Sequence, residues 1–163
     1  MIPSSRDINY FLIAISFLIG IFLTIIPLPQ WAIWIRPQWM FAILLFWVFT
    51  LPLQCGVGLA WIVGILMDLI TGTPLGEQAV IFVLLTYFIL KIHDYIAHFS
   101  LLQQTVLIAI FSFFNIVLQG LILGFVGRNT HIALHSLSAI TTAIIWPWLF
   151  LILDKCQPRV FIY

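Results

Sequence analysis

Charge is what this chain has least of: six basic and five acidic side chains stand in 163 residues, against 64% hydrophobic ones and a mean hydropathy of +1.22. So little charge cannot cover a water-soluble fold of this size, which places the chain in lipid. Cysteine is scarce as well. Cys55 and Cys156 form no CxxC pair and both fall on the expected cytoplasmic side, so no disulfide is expected and both read as packing residues in a reducing compartment. The basic residues are scattered rather than gathered into a patch, which argues against nucleic acid. Missing too are a GxSxG turn and paired carboxylates, so an intramembrane hydrolase has no nucleophile with a base to use. There is no internal repeat and no low-complexity stretch.

What the chain has instead is long apolar runs. IAISFLIGIFLTII and AVIFVLLTYFIL are apolar on every face, whereas a β-barrel needs alternating polar residues for its lumen. The expectation is therefore an all-α, polytopic membrane protein. A crossing takes about 20 residues, so the length accommodates about six. The expected spans are Tyr10–Ile26, Trp39–Leu53, Cys55–Ile70, Ala79–Ile96, Gln103–Phe125 and Ala133–Leu153. The second and third are short and meet at Pro52–Gly56, which leaves a tilted or re-entrant hairpin open. The connections leave no room for a soluble catalytic, nucleotide-binding or receptor domain, so one membrane domain over residues 1–163 is expected. With six spans and the N-terminus inside, Arg6, Lys91, Lys155 and Arg159 are cytoplasmic, and Arg36 and Arg128 external. The positive-inside bias then favours both termini in the cytoplasm.

Three constellations rise above this background. In the first, Gly56, Ala60, Gly64, Asp68 and Gly72 recur every four residues, which sets them on one helical ridge, with Gly58 beside it. Small residues let a second helix approach closely, and in lipid such packing is a main source of association. The partner is one of the chain's own helices or another protein. Asp68 sharpens the pattern, because a carboxylate in a span costs roughly 2.5–3.5 kcal/mol at the centre and should face protein or water. Arg36, expected on the same outer side, is the candidate partner. The second constellation is Trp31, Trp34, Arg36, Pro37 and Trp39, where indoles favour the headgroup level and Pro37 reads as part of a fixed helix start. An interfacial anchor explains it as well as a functional site does. The third is Trp146-Pro147-Trp148, where Pro147 leaves the carbonyl of Ala143 without its donor and predicts a kink. Thr141 and Thr142 are candidates for local hydroxyl compensation.

Polar residues inside the spans are few. Ser112, Asn115 and Gln119 form one stripe on the fifth span, read by default as interhelical hydrogen bonding and, more sharply, as facing a ligand or partner. His131 and His135 are four apart but lack a third ligand, so no metal site is expected. His93, Asp94 and His98 read as a headgroup-facing cluster.

RPxW before an apolar span, then GxGLAxxxGxxxDLxxGxxLG from Gly56 to Gly76, then WPWxFLxxxK from Trp146 to Lys155, resembles the MreD family of rod shape-determining proteins in order and spacing. That resemblance implies a non-catalytic, cofactor-free component of the bacterial cell-elongation machinery in the inner membrane. It implies binding to the bitopic protein MreC beside the actin-like MreB and the RodA and PBP2 peptidoglycan synthases. It also implies a helical arrangement like the membrane-embedded substrate-binding subunits of vitamin transporters. A homo-oligomer is left open by the ridge. The alternative is a transport subunit that binds a small molecule or lipid, since glycines, a polar stripe and a proline kink also build transporter bundles.

Overall fold

The computed structural model describes residues 5–96, 98–125, 127 and 132–156. Arg128, His131 and Arg159 lie outside them, as do the side chains of Arg6 and Trp31. The described chain is all-helical: α1 (Ser5–Ile25), α2 (Gln30–Ile33), α3 (Trp39–Thr50), α4 (Val57–Thr71), α5 (Glu77–Lys91), α6 (His93–Ile96), α7 (Leu101–Phe125) and α8 (Ile132–Cys156).

At the centre is α3, whose sequence WMFAILLFWVFT has no polar face, and Met40 to Val48 are buried without interruption. A helix apolar all round is stable only when surrounded. Four helices do this, α1, α4, α5 and α8. Phe41 meets Phe82 of α5, Phe46 meets Phe150 of α8, and Phe49 meets Trp146 of α8 edge-on. The single polar atom of the Trp47 indole donates to Ser16 Oγ on α1 at 2.7 Å, and Ser16 Oγ donates on to the Ile13 carbonyl at 2.8 Å. A buried N–H is thereby satisfied where water cannot reach it.

Twelve residues give α3 a length of about 18 Å, well under the ~30 Å of a hydrocarbon core. By length and composition, α7 and the His135–Cys156 stretch of α8 are sufficient to cross a membrane, while the Tyr10–Ile25 part of α1, α3 and α4 are shorter apolar helices. Their outer faces are lined with large apolar side chains, Phe22, Leu69, Leu102, Phe125 and Trp148 among them. Water would not tolerate that surface; lipid does.

Several boundaries differ from the sequence expectation. The second span ends at Thr50 and the third starts at Val57, so a six-residue turn separates them and buries Cys55. The fourth is not continuous over 79–96. It begins earlier, with Glu77 and Gln78 already buried, and breaks at Ile92, where the His93 ring takes up the Phe49 carbonyl at 3.1 Å and α6 restarts the chain. Pro37 stands just before the N-cap Gln38 rather than in the first turn of α3. Through Pro147, α8 is helical without interruption. The compensation expected from its threonines is absent: Thr141 and Thr142 both donate to the Ser138 carbonyl, because a helical hydroxyl reaches back toward the N-terminus and so never to Ala143.

The two free thiols have opposite environments. Cys55 is buried, and desolvation pushes its pKa up to about 12, whereas Cys156 is exposed at the end of α8. Since the thiolate is the nucleophile, a small maleimide should label Cys156 promptly and Cys55 only after denaturation. Raising the pH to about 9 should leave Cys55 slow, although it would activate an ordinary thiol. Mass spectrometry of the labelled chain reads both sites. Prompt native labelling of Cys55 would refute its burial in the α3–α4 turn.

Candidate functional site

The polar residues collect at the end of the bundle where α1 and α4 finish and α3 and α5 begin. Asp68 lies in the last turn of α4 and is 1% exposed, yet among the described residues no base pairs with it. Its Oδ1 accepts from Thr73 Oγ1 and from the Gln78 N–H, each at 2.9 Å, and its Oδ2 accepts from the Gly76 N–H at 2.7 Å. Gly76 is the N-cap of α5 and Gln78 lies in its first turn, so an aspartate from the preceding helix supplies the cap that a glycine cannot. A negative charge there also complements the helix dipole. The intervening turn requires two left-handed residues, Gly72 at φ 66° and Gly76 at φ 99°. The spacing Asp68, Gly72, Gly76 is thus the signature of a tight α4–α5 turn.

Arg36 is not the partner of Asp68, and the ion pair expected from the sequence does not form. One terminal nitrogen of its guanidinium donates to the Leu23 carbonyl at 3.0 Å and to the Ile26 carbonyl at 3.2 Å, at the C-terminal end of α1. Partial burial lowers its pKa from the ordinary value. Each conspicuous charge therefore complements a helix end of opposite dipole, Asp68 at the start of α5 and Arg36 at the finish of α1.

Of the small-residue ridge, Ala60 and Gly64 face inward. A Cβ added at Gly64 would come within 3.0 Å of the backbone of Gln78 and Ala79, so glycine there sets how closely α4 and α5 approach. Around Gly56, the N-cap of α4, and around exposed Gly58, the space is open. The ridge is thus divided between internal packing and surface.

The stripe on α7 also faces inward, with Ser112 and Asn115 buried. Gln119 Nε2 donates to Asn115 Oδ1 at 2.5 Å and to Gln78 Oε1 on α5 at 3.4 Å, and Gln38 Nε2 donates to the Ser112 carbonyl at 3.3 Å. The Gln38 N–H donates to Thr142 Oγ1 on α8 at 3.0 Å, which ties the start of α3 to that helix. Gln38 and Gln78 were not singled out by the sequence reading. Their only signal was a polar side chain at the mouth of an apolar run. Between these residues lies a cavity of about 240 Å³, lined by Arg36, Pro37, Trp39, Gln78, Asn115 and Gln119 among others, with Trp34 packed edge-on to His135 at 4.8 Å nearby. Among the described residues no cluster of three metal-ligating side chains exists.

A polar end built from capping charges and glycine turns is an architectural device, and its motifs run the length of the chain. The model of the family "rod shape-determining protein MreD" matches residues 5–156. The chain belongs to the MreD family. Among its relatives is the rod shape-determining protein MreD of Haemophilus influenzae, 29% identical over 157 residues that cover 94% of each chain. No solved structure matches. Membership makes the chain a rod shape-determining membrane component and a structural protein rather than an enzyme. All three motifs that carried the resemblance, around Arg36, Asp68 and Pro147, fall within the matched residues.

Proposed function

We propose that this MreD-family protein is a multi-pass component of the bacterial inner membrane that binds MreC and supports lateral peptidoglycan synthesis with MreB, RodA and PBP2. The observation that carries the reading is the family match over residues 5–156. In it, α1, α3, α4, α5, α7 and α8 are the six crossings of one membrane domain, with both termini in the cytoplasm. The short α3 crosses where neighbouring helices enclose it, and the short α4 crosses packed against α5. The vitamin-transporter-like arrangement belongs to the same proposal. For MreC, the favoured surface is the outer face of α4, where Gly58 is open and Trp61, Ile62 and Leu69 are exposed.

The test is copurification with MreC in mild detergent, together with cell shape on depletion. Loss of MreC binding in Gly58→Leu at normal membrane abundance, and rounding of depleted rods, is the expected result. Wild-type protein that never copurifies with MreC, or depleted cells that stay rod-shaped but fail to take up a nutrient, would overturn it in favour of a transport subunit. Reporter fusions should place both termini in the cytoplasm, and an external C-terminus would break the six-crossing count.

A further inference from the structure

The polar cavity adjoins two apolar grooves. Pro37 and Trp39 line both the cavity and a groove of about 410 Å³ formed by Leu23, Ile26, Ile35 and Ile145. Leu23, Trp39 and Ile145 in turn border a second groove, of about 280 Å³, that continues between α1, α3 and α8 past Ile19, Ile43 and Ile152. Trp39 stands at the junction of all three. From Leu23 to Ser16, which lines the second groove, the path along α1 covers about 10 Å, toward the middle of the bundle.

The charge at this junction has one sign. Arg36 lines the cavity and no carboxylate does, among the described residues. Its Nε is buried without a partner, and only one of its terminal nitrogens is engaged at the end of α1. Asp68 cannot neutralise it, because that carboxylate is already held by Thr73, Gly76 and Gln78. The first turn of α3 also borders the cavity, through Met40 and Phe41, and brings the positive end of its dipole there. A cationic polar chamber at the end of the bundle that opens beside apolar grooves matches an amphiphile with an anionic head and a hydrocarbon chain.

We propose that this junction binds a phosphate-headed anionic lipid, with the phosphate beside Arg36 and an acyl chain along the α1–α8 groove past Trp39 and Ile145. A guanidinium suits a phosphate because its fork of donors matches the oxygens in pairs. Ile145, which borders both grooves and takes no part in the capping bonds of Arg36, separates chain binding from head binding. The site rests on the membrane reading above, which has its own readout: a chain recovered in the soluble fraction defeats that reading before any lipid is counted.

The experiment is native mass spectrometry of the purified protein after exchange into nanodiscs of phosphatidylglycerol or of phosphatidylcholine, followed by a delipidating detergent wash. Wild type should retain phosphatidylglycerol stoichiometrically and prefer it over phosphatidylcholine by roughly tenfold, the scale of one charge-assisted contact. Arg36→Gln should lose that preference, and Arg36→Lys, which keeps the charge but not the fork of donors, should keep only part of it. Ile145→Trp should lose retention of both lipids while eluting as a monodisperse peak. Wild type that retains no lipid, or retains both lipids equally, overturns the proposal, whatever the variants do. Inorganic phosphate that raises the Tm of delipidated protein as much as phosphatidylglycerol does would identify a soluble-anion site and overturn it equally.

Discussion

Gly64→Ala should strongly reduce both the membrane abundance of this protein and its Tm after purification. In an exposed helix interior the same change stabilises by about 1 kcal/mol, because alanine has less conformational freedom to lose. Here the opposing effect is larger. The new Cβ would lie within 3.0 Å of backbone atoms of Gln78 and Ala79, and backbone cannot rotate aside as a side chain does. Overpacking of this kind costs about 1–3 kcal/mol and more when the main chain must move. Separating α4 from α5 also lengthens the bonds from Asp68 to Gly76 and Gln78, which span the same interface. Gly64→Leu should be worse still. Gly58→Ala is the control: no atom stands within 4 Å of its Cβ, so abundance and Tm should hold or rise slightly. A Gly64→Ala protein as abundant and as stable as the Gly58→Ala protein would show that α4 and α5 are not in close backbone contact.

Asp68→Ala should cost about 3 kcal/mol or more. It strands the Gln78 N–H, whose bond is buried, at about 1–3 kcal/mol for a buried donor left unmade, and takes the acceptor from the part-buried Gly76 N–H and Thr73 hydroxyl. It also uncaps α5, which alone is worth about 0.5–2 kcal/mol. Asp68→Asn should cost less. Its remaining oxygen can serve two donors, but its amide then confronts a third. Because Arg36 and Asp68 share no hydrogen-bond partner, Arg36→Gln combined with Asp68→Asn should be additive to within about 0.5 kcal/mol, the range for independent sites. Unfolding of the purified proteins in a mild-detergent thermal series measures all three. A double variant more stable than either single one would restore the ion pair that the geometry rules out.

The contrast between Asp68 and Arg36 shows where sequence reasoning stopped. Hydropathy and charge set both residues at the same end of the bundle, and the cost of a buried carboxylate demanded a partner for Asp68. That demand was sound, but its answer was not legible. A position along the chain fixes depth and leaves lateral placement undetermined, and the carboxylate found three donors within ten residues of itself in the next turn. Likewise, the four-residue spacing from Gly56 to Gly72 identified a helix face able to admit a close neighbour. It did not say that Ala79 of the same chain takes that place at Gly64 and leaves Gly58 open. The stripe of Ser112, Asn115 and Gln119 was visible from period alone, whereas Gln38 and Gln78, which bond to it from the start of α3 and from α5, have no period to betray them.

By itself, then, the sequence determined an all-helical, lipid-compatible chain and the RPxW, GxG…D…G and WPW motifs of its family. These follow from composition and local spacing, which act through solvent transfer and the 3.6-residue turn, and neither depends on what lies alongside. Only the tertiary structure decided which helix covers which face, that the two prominent charges cap opposite helix ends, and that a cationic cavity adjoins apolar grooves at Trp39. Those outcomes depend on contacts between segments far apart in the chain. Many pairings of apolar helices bury similar area in lipid, so the choice among them falls to close packing at residues such as Gly64 and to the few polar groups that must find partners.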